Sequence, residues 1–234
     1  LGRGAFSRVR LATSCATGER VAVKTLRKST LQLEHVQAEL KILASLRGRQ
    51  IVRLLHVVTD PDSIHLVLEY VRGVPLSQLC ARPRWVRLSE PIVRKIGAQF
   101  VMALQCIHSL GVLHRDIKPE NAILVGEYTI KIVDFGLSVI AEAEEPPAAS
   151  ADAGLASAAN PPPRGAVHSA VLGLKQLSAG RRVGTPPYMA PEVVTDADYS
   201  RASEYWALGC VMYELVTTER LFDGPTVEVV LDLI

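Results

Sequence analysis

Ile64, Leu66 and Leu68 alternate with His65, Val67 and Glu69, and a period of two is what a strand with one buried face requires. Val9-Arg10-Leu11 and Val21-Ala22-Val23 flank the turn-rich Thr17-Gly18-Glu19, which predicts a hairpin. The period then changes. Across 31–47, Leu33, Val36, Leu40 and Leu43 recur at spacings of 3, 4 and 3, one face of a helix, and Gly48 follows as a stop. A longer helix is predicted to start at Ser89, a residue suited to N-capping, with Pro91 in its first turn. Val93, Ile96, Phe100, Leu104 and Ile107 mark its buried face, and Gly111 its end. Ala122 to Val125 and Thr129 to Val133 predict a second hairpin, and Glu204 to Val216, apolar nearly all round, predicts a central buried helix. The pattern is α+β: a small β-rich lobe with one helix over 1–71, then a larger helical lobe over 72–234.

Residues 141–180 break this pattern. Glu142, Glu144, Glu145, Pro146-Pro147 and Pro161-Pro162-Pro163 stand among many alanines, with no apolar period before Val167 to Leu177. Such a composition predicts a disordered low-complexity insert.

With 234 residues, 48% of them apolar, the chain can bury a core of one large domain or two lobes. Charged residues make up 21% and the net charge is only +2, so nothing favours nucleic acid or a membrane surface as partner. No apolar run reaches the roughly 18 residues of a membrane helix. Cys15, Cys80, Cys106 and Cys210 are scattered without metal spacing, which makes a reducing, intracellular and cytoplasmic setting the expectation. The chain opens at Leu1 with neither methionine nor a signal-like segment, which suggests a piece of a longer protein.

The candidate chemistry starts at Leu1-Gly2-Arg3-Gly4-Ala5-Phe6-Ser7-Arg8-Val9. Glycines let a backbone turn approach a polyphosphate, although a plain hairpin turn is the commoner reading of so short a motif. In Val21-Ala22-Val23-Lys24, alternation puts Ala22 and Lys24 on one face; alone this is an ordinary strand ending in a solvated lysine. Glu39 flanks the apolar stripe of the next helix and either reaches Lys24 or sits on the surface.

His114-Arg115-Asp116-Ile117-Lys118-Pro119-Glu120-Asn121 changes that balance. Phosphoryl transfer needs a carboxylate to accept a hydroxyl proton, a cation at the moving phosphate and oxygen ligands for magnesium. Ile132-Val133-Asp134-Phe135-Gly136 adds a further carboxylate, with Asp134 13 positions after Asn121. On these motifs the chain resembles the eukaryotic protein kinase family, for which they are a worked template. The resemblance covers nearly everything outside 141–180. Lys118 in Lys-Pro-Glu-Asn resembles the serine/threonine branch, and Gly184-Thr185-Pro186-Pro187-Tyr188-Met189-Ala190-Pro191-Glu192 resembles the loop that docks a polypeptide substrate.

The resemblance implies a two-lobed kinase fold with ATP and Mg2+ between the lobes. It places Gly2 and Gly4 over the phosphates, and Lys24 on the α- and β-phosphates with Glu39 holding it. Leu68 becomes the gatekeeper, the backbone of Glu69 to Val71 meets adenine, and Leu1, Val9, Ala22 and Ile123 sandwich the base. Asp116 orients and deprotonates the substrate hydroxyl, Lys118 neutralises the γ-phosphoryl group, Asn121 and Asp134 hold magnesium, and Thr185 bonds to Asp116 and Lys118. Leu43, Leu54, His114 and Phe135 form a stacked spine. The implied activity is transfer of the ATP γ-phosphoryl group to a serine or threonine of a protein. The alternatives are a pseudokinase scaffold and a kinase of small molecules.

Several positions depart from the family. Glu204 stands where aspartate normally anchors the catalytic loop, and an extra methylene there is expected to displace Asp116 and lower activity. Pro75 replaces a glutamate that contacts ribose and substrate arginine; with Glu120 remaining, at most a mild basic preference is expected. Asp134 and Glu192 lie 58 positions apart, a long activation segment, and Arg181, Arg182 and Val183 precede Gly184 where a phosphate acceptor is usual. Activation is expected to use Ser178 or no segment phosphate at all, and the 141–180 insert to be either a partner-binding element or a neutral expansion. The family's last helices, with the arginine partner of Glu192, are not in the chain, which predicts a buried unpaired carboxylate.

Overall fold

The structure is a computed structural model and describes residues 2–3, 7–30, 33–83, 88–141 and 182–234. Leu1, Gly4, Ser178, Arg181 and all but the first residue of the 141–180 insert lie outside the described residues.

The first layer is an antiparallel sheet of β1 (Gly2–Arg3), β2 (Ser7–Thr13), β3 (Arg20–Arg27), β4 (Leu54–Thr59) and β5 (Ser63–Glu69), in the order β1-β2-β3-β5-β4. The first predicted hairpin is β2–β3, with Gly18 at φ +71° in its turn. In β5 the alternation holds: Ile64, Leu66 and Leu68 are buried and the residues between them half-buried. Helix α1 (Leu33–Ser45) sends Val36, Ile42 and Leu43 into the core shared with Leu26 and Leu66. It stops three residues before Gly48.

Beyond the sheet lie α2 (Leu76–Cys80), α3 (Glu90–Ser109), α4 (Pro191–Asp196), α5 (Arg201–Thr217) and α6 (Val227–Asp232). Ser89 is the N-cap residue of α3 as predicted, but its side chain makes no capping bond. Its predicted face, Val93, Ile96, Phe100, Leu104 and Ile107, is fully buried. Gly97 admits Met212 of α5, because a Cβ there would lie 2.7 Å from the Met212 methyl. Strands β6 (Val74–Pro75), β8 (Ala122–Val125) and β9 (Thr129–Ile132) form a second sheet containing the second predicted hairpin. Strand β7 (Val112–Leu113) pairs with β10 (Val139–Ile140).

Two expectations need correction. Helix α5 buries Ala207, Leu208, Val211 and Leu215, but Tyr205, Trp206, Tyr213 and Val216 are each about 40% exposed. That face is only partly covered: Phe222 stacks on Trp206 (6.1 Å between ring centroids) and His108 meets Tyr205 edge-on (5.8 Å). Glu192 is half-buried in the first turn of α4 rather than enclosed.

The sheet and the helical region are stitched together close to the chemistry. Val52 donates its N–H to the Ile132 carbonyl (2.9 Å), and Ile132 donates to Gln50 (2.8 Å). Lys131 on β9 bonds to Glu69 at the end of β5 (2.5 Å), and that carboxylate also accepts the Arg53 N–H (2.9 Å).

Candidate active site

Strand β3 puts Ala22 and Lys24 on its buried side, 8% and 5% exposed. An ammonium group so enclosed needs partners, and Lys24 has two. Its Nζ donates to Glu39 Oε1 of α1 (2.6 Å) and to Asp134 Oδ1 (2.8 Å). Glu39 is 6% exposed, so the inward reading of that residue is the one the structure bears out. Burial opposes the Lys24 charge, but the Glu39 and Asp134 carboxylates outweigh it and hold the pKa above the ordinary lysine value. Asp134 is the mirror case. Burial favours its neutral form, yet the Lys24 charge and hydrogen bond and the Gly136 N–H (3.1 Å) keep its carboxyl below the usual range.

A second cluster forms where the chain leaves β7. Asp116 Oδ1 accepts the Thr185 hydroxyl proton (2.7 Å), and Asp116 Oδ2 accepts the Asn121 amide (2.8 Å) and lies 2.8 Å from Lys118 Nζ. Lys118 also donates to Thr185 Oγ1 (2.7 Å). Three side chains up to 69 positions away thus fix one carboxylate. Gly184 makes the approach of Thr185 possible: its φ is +109°, and a Cβ would sit 2.7 Å from the Arg115 carbonyl oxygen.

The loop before Asp116 hangs on Glu204. Glu204 Oε1 accepts the N–H groups of His114 (2.5 Å) and Arg115 (2.7 Å), and Oε2 bonds His108 Nε2 (2.6 Å). The longer Glu204 side chain makes both bonds to the loop, and Asp116 is bonded to Thr185, Asn121 and Lys118. Arg115 holds a left-handed backbone (φ +64°). The His114 ring packs edge-on against Phe135 at 4.9 Å, and both are 1% exposed, as is expected of spine residues.

Among the residues expected to enclose adenine, Ala22 and Leu68 are cross-strand partners in β3 and β5 and are buried. Val9 and Val71 pack against the same core, and Ile123 is half-buried on β8 beside Pro75. Gly2 pairs with Val9. The Glu69 side chain is turned to Lys131 and Arg53, and its N–H donates to the Arg53 carbonyl (2.9 Å), so neither is left for a base.

The family defined as protein kinase domain matches residues 1–232. The chain belongs to the protein kinase family. It is 34% identical to the serine/threonine-protein kinase ppk35 of Schizosaccharomyces pombe over 97% of this chain and 38% of that protein. It is 34% identical to the probable serine/threonine protein kinase IREH1 of Arabidopsis thaliana over 92% and 17%, and 32% identical to the serine/threonine-protein kinase CBK1 of Candida albicans over 92% and 32%. The chain therefore spans well under half the length of these relatives. No helix among the described residues is long and apolar enough to cross a membrane.

The kinase site has donors suited to magnesium, which prefers a few hard oxygens and shares the rest with phosphate and water. The Asp134 side chain is 48% exposed and ionised. Asn121 spends its Nδ2 on the Asp116 carbonyl (2.9 Å) and carboxylate, which leaves its amide oxygen as the acceptor a cation could use. Sequence reasoning missed His108 and Tyr199. Tyr199 accepts the Val183 N–H and donates to the Val183 carbonyl, both at 2.6 Å, and its ring lies 5.2 Å from the Arg115 guanidinium carbon. Neither residue has a local motif; each is identified only by what the fold brings to it.

Proposed function

We propose that this chain is the catalytic domain of an active serine/threonine protein kinase that uses ATP and magnesium. The observation that carries the reading is the pair of assembled clusters, Lys24 between Glu39 and Asp134, and Asp116 among Lys118, Asn121 and Thr185. Together they supply what phosphoryl transfer needs, cations for the phosphates and a carboxylate fixed in place for the hydroxyl proton.

Asp116 is the proton acceptor for the substrate hydroxyl, and the bonds from Asn121 and Thr185 fix the direction in which its oxygens point. Lys118 stands beside it to balance charge on the phosphoryl group in flight. Lys24, kept charged by its two carboxylates, holds the non-transferred phosphates. Magnesium held by Asn121 and Asp134 would neutralise phosphate oxygens and orient the terminal group.

Substrate preference follows from the loop after Thr185. Tyr188 donates its hydroxyl to the buried Glu214 carboxylate (2.6 Å). Glu120 belongs to the same acidic cluster, and Arg220 already faces Tyr188, Glu214 and Glu120. A cation supplied from within, together with Pro75 on β6, supports at most a mild preference for basic residues in the substrate. A peptide array with a strict arginine requirement would contradict this part of the reading.

The test of activity is magnesium-dependent transfer of labelled γ-phosphate from ATP to a generic basic protein, using the full-length protein with Asp116→Asn as control. Transfer that vanishes in the control is the expected result. No transfer, while ATP still raises the melting temperature, would make the protein a pseudokinase scaffold.

A further inference from the structure

Arg115 connects the two ends of the activation segment. Its Nε donates to the Leu137 carbonyl just after Asp-Phe-Gly (2.8 Å). Its guanidinium lies over the Tyr199 ring, and Tyr199 in turn bonds both the N–H and the carbonyl of Val183, next to Gly184 and Thr185. Val183 thus has its backbone polar groups satisfied by one phenol, and the Arg115 charge rests against an aromatic face. Burial pushes the Arg115 pKa below its ordinary value, with Tyr199 and Glu204 acting in the opposite direction. Neither Arg182 nor Val183 has a hydroxyl that could carry a phosphate.

We infer that Tyr199 is a positioning residue that holds the Val183–Thr185 end of the activation segment in place without a phosphate on that segment. The arginine that could pair with such a phosphate is instead docked on Tyr199, and the clasp on Val183 sets where Gly184 and Thr185 meet Arg115 and Asp116. The inference rests on the kinase reading for its kinetic consequence but not for the clasp itself.

The full-length protein, treated with a broad phosphatase and checked by intact mass, tests both parts. Amide exchange reads the clasp: Val183 should stay protected after phosphatase treatment, and Tyr199→Phe should speed its exchange by about 10-fold or more, because only the hydroxyl is removed. Kinetics read the consequence. Phosphatase treatment should leave kcat within about twofold, whereas Tyr199→Leu should lower kcat by about 10-fold or more with the KM for ATP unchanged. Tyr199→Phe, which keeps the ring over Arg115, should fall between. A phosphatase-treated wild type that loses Val183 protection or 10-fold of its kcat overturns the inference, as does a Tyr199→Leu variant with normal kcat. An inactive protein whose dephosphorylated form still protects Val183 would sink the kinase reading and keep the clasp.

Discussion

Glu204 on α5 and His108 on α3 are joined by a 2.6 Å hydrogen bond beneath the catalytic loop, and both are almost fully buried. The other oxygen of the same carboxylate accepts two backbone N–H groups of that loop. The side chain therefore spans from the neighbouring helix to the loop, and its extra methylene serves that span.

Shortening it should not help. In Glu204→Asp the carboxylate cannot reach His108 and both amides from the same backbone, so kcat should be unchanged or about 2–5-fold lower, in line with the cost of small misplacements. A gain of 10-fold would mean that glutamate is a handicap here. Glu204→Ala leaves two buried N–H groups and an imidazole without their acceptor. At about 1–3 kcal/mol for each unsatisfied group, the loss should be several kcal/mol and plain in chemical denaturation.

Lys24→Met removes the cation shared by Glu39 and Asp134. Glu39 is then a buried carboxylate without its partner, a situation that typically costs about 3–5 kcal/mol. Transfer should fall by about 100-fold or more, as for loss of a charge stabiliser in a water-poor site. A second change, Glu39→Gln, should restore part of the stability of Lys24→Met and none of its activity. Recovery of turnover would show that Lys24 is not needed on the phosphates.

The kinase motifs were legible because their chemistry is local. Asp116, Lys118 and Asn121 fall within six consecutive positions, and Asp134 is fixed by a five-residue run. The inward reach of Glu39 was readable only as one of two options, since a helix position beside an apolar stripe can face either way. His108–Glu204 and Tyr199–Val183 were not legible. The first pair is 96 positions apart, and the second joins a phenol to a backbone that any residue could supply. The exposed side of α5 was misread for a related reason: apolar periodicity tells which residues can be buried, but not whether an element covers them.

Gly184 should not tolerate a side chain. At φ +109° an alanine is strained, and its Cβ would meet the Arg115 carbonyl at 2.7 Å, a backbone atom that cannot swing away. Gly184→Ala should lower kcat by about 10-fold or more through displacement of Thr185, with the ATP-induced rise in melting temperature retained. Wild-type kcat in this variant would show that Thr185 does not need its bonds to Asp116 and Lys118.

His114 should make the domain acid-sensitive in a defined window. Its ring is enclosed at 1% exposure against Phe135, and burial pushes its pKa below the ordinary value of 6.5, although Glu204, Asp116 and Asp134 pull the other way. Above pH 6.5 the imidazole is neutral in both folded and unfolded chains, and its contribution is fully present. As the pH falls from there towards the lower folded value, the unfolded chain takes up a proton that the folded chain refuses, so stability declines with acidification. His114→Phe keeps an aromatic ring in the stack and removes the titration. The melting temperature of this variant, followed from pH 7.5 to 5, should fall less steeply than that of the wild type, even if its value at neutral pH is lower for want of the bond from the Asp116 N–H to Nδ1 (3.3 Å). Parallel curves would show that the three carboxylates keep the folded His114 as readily protonated as it is in water.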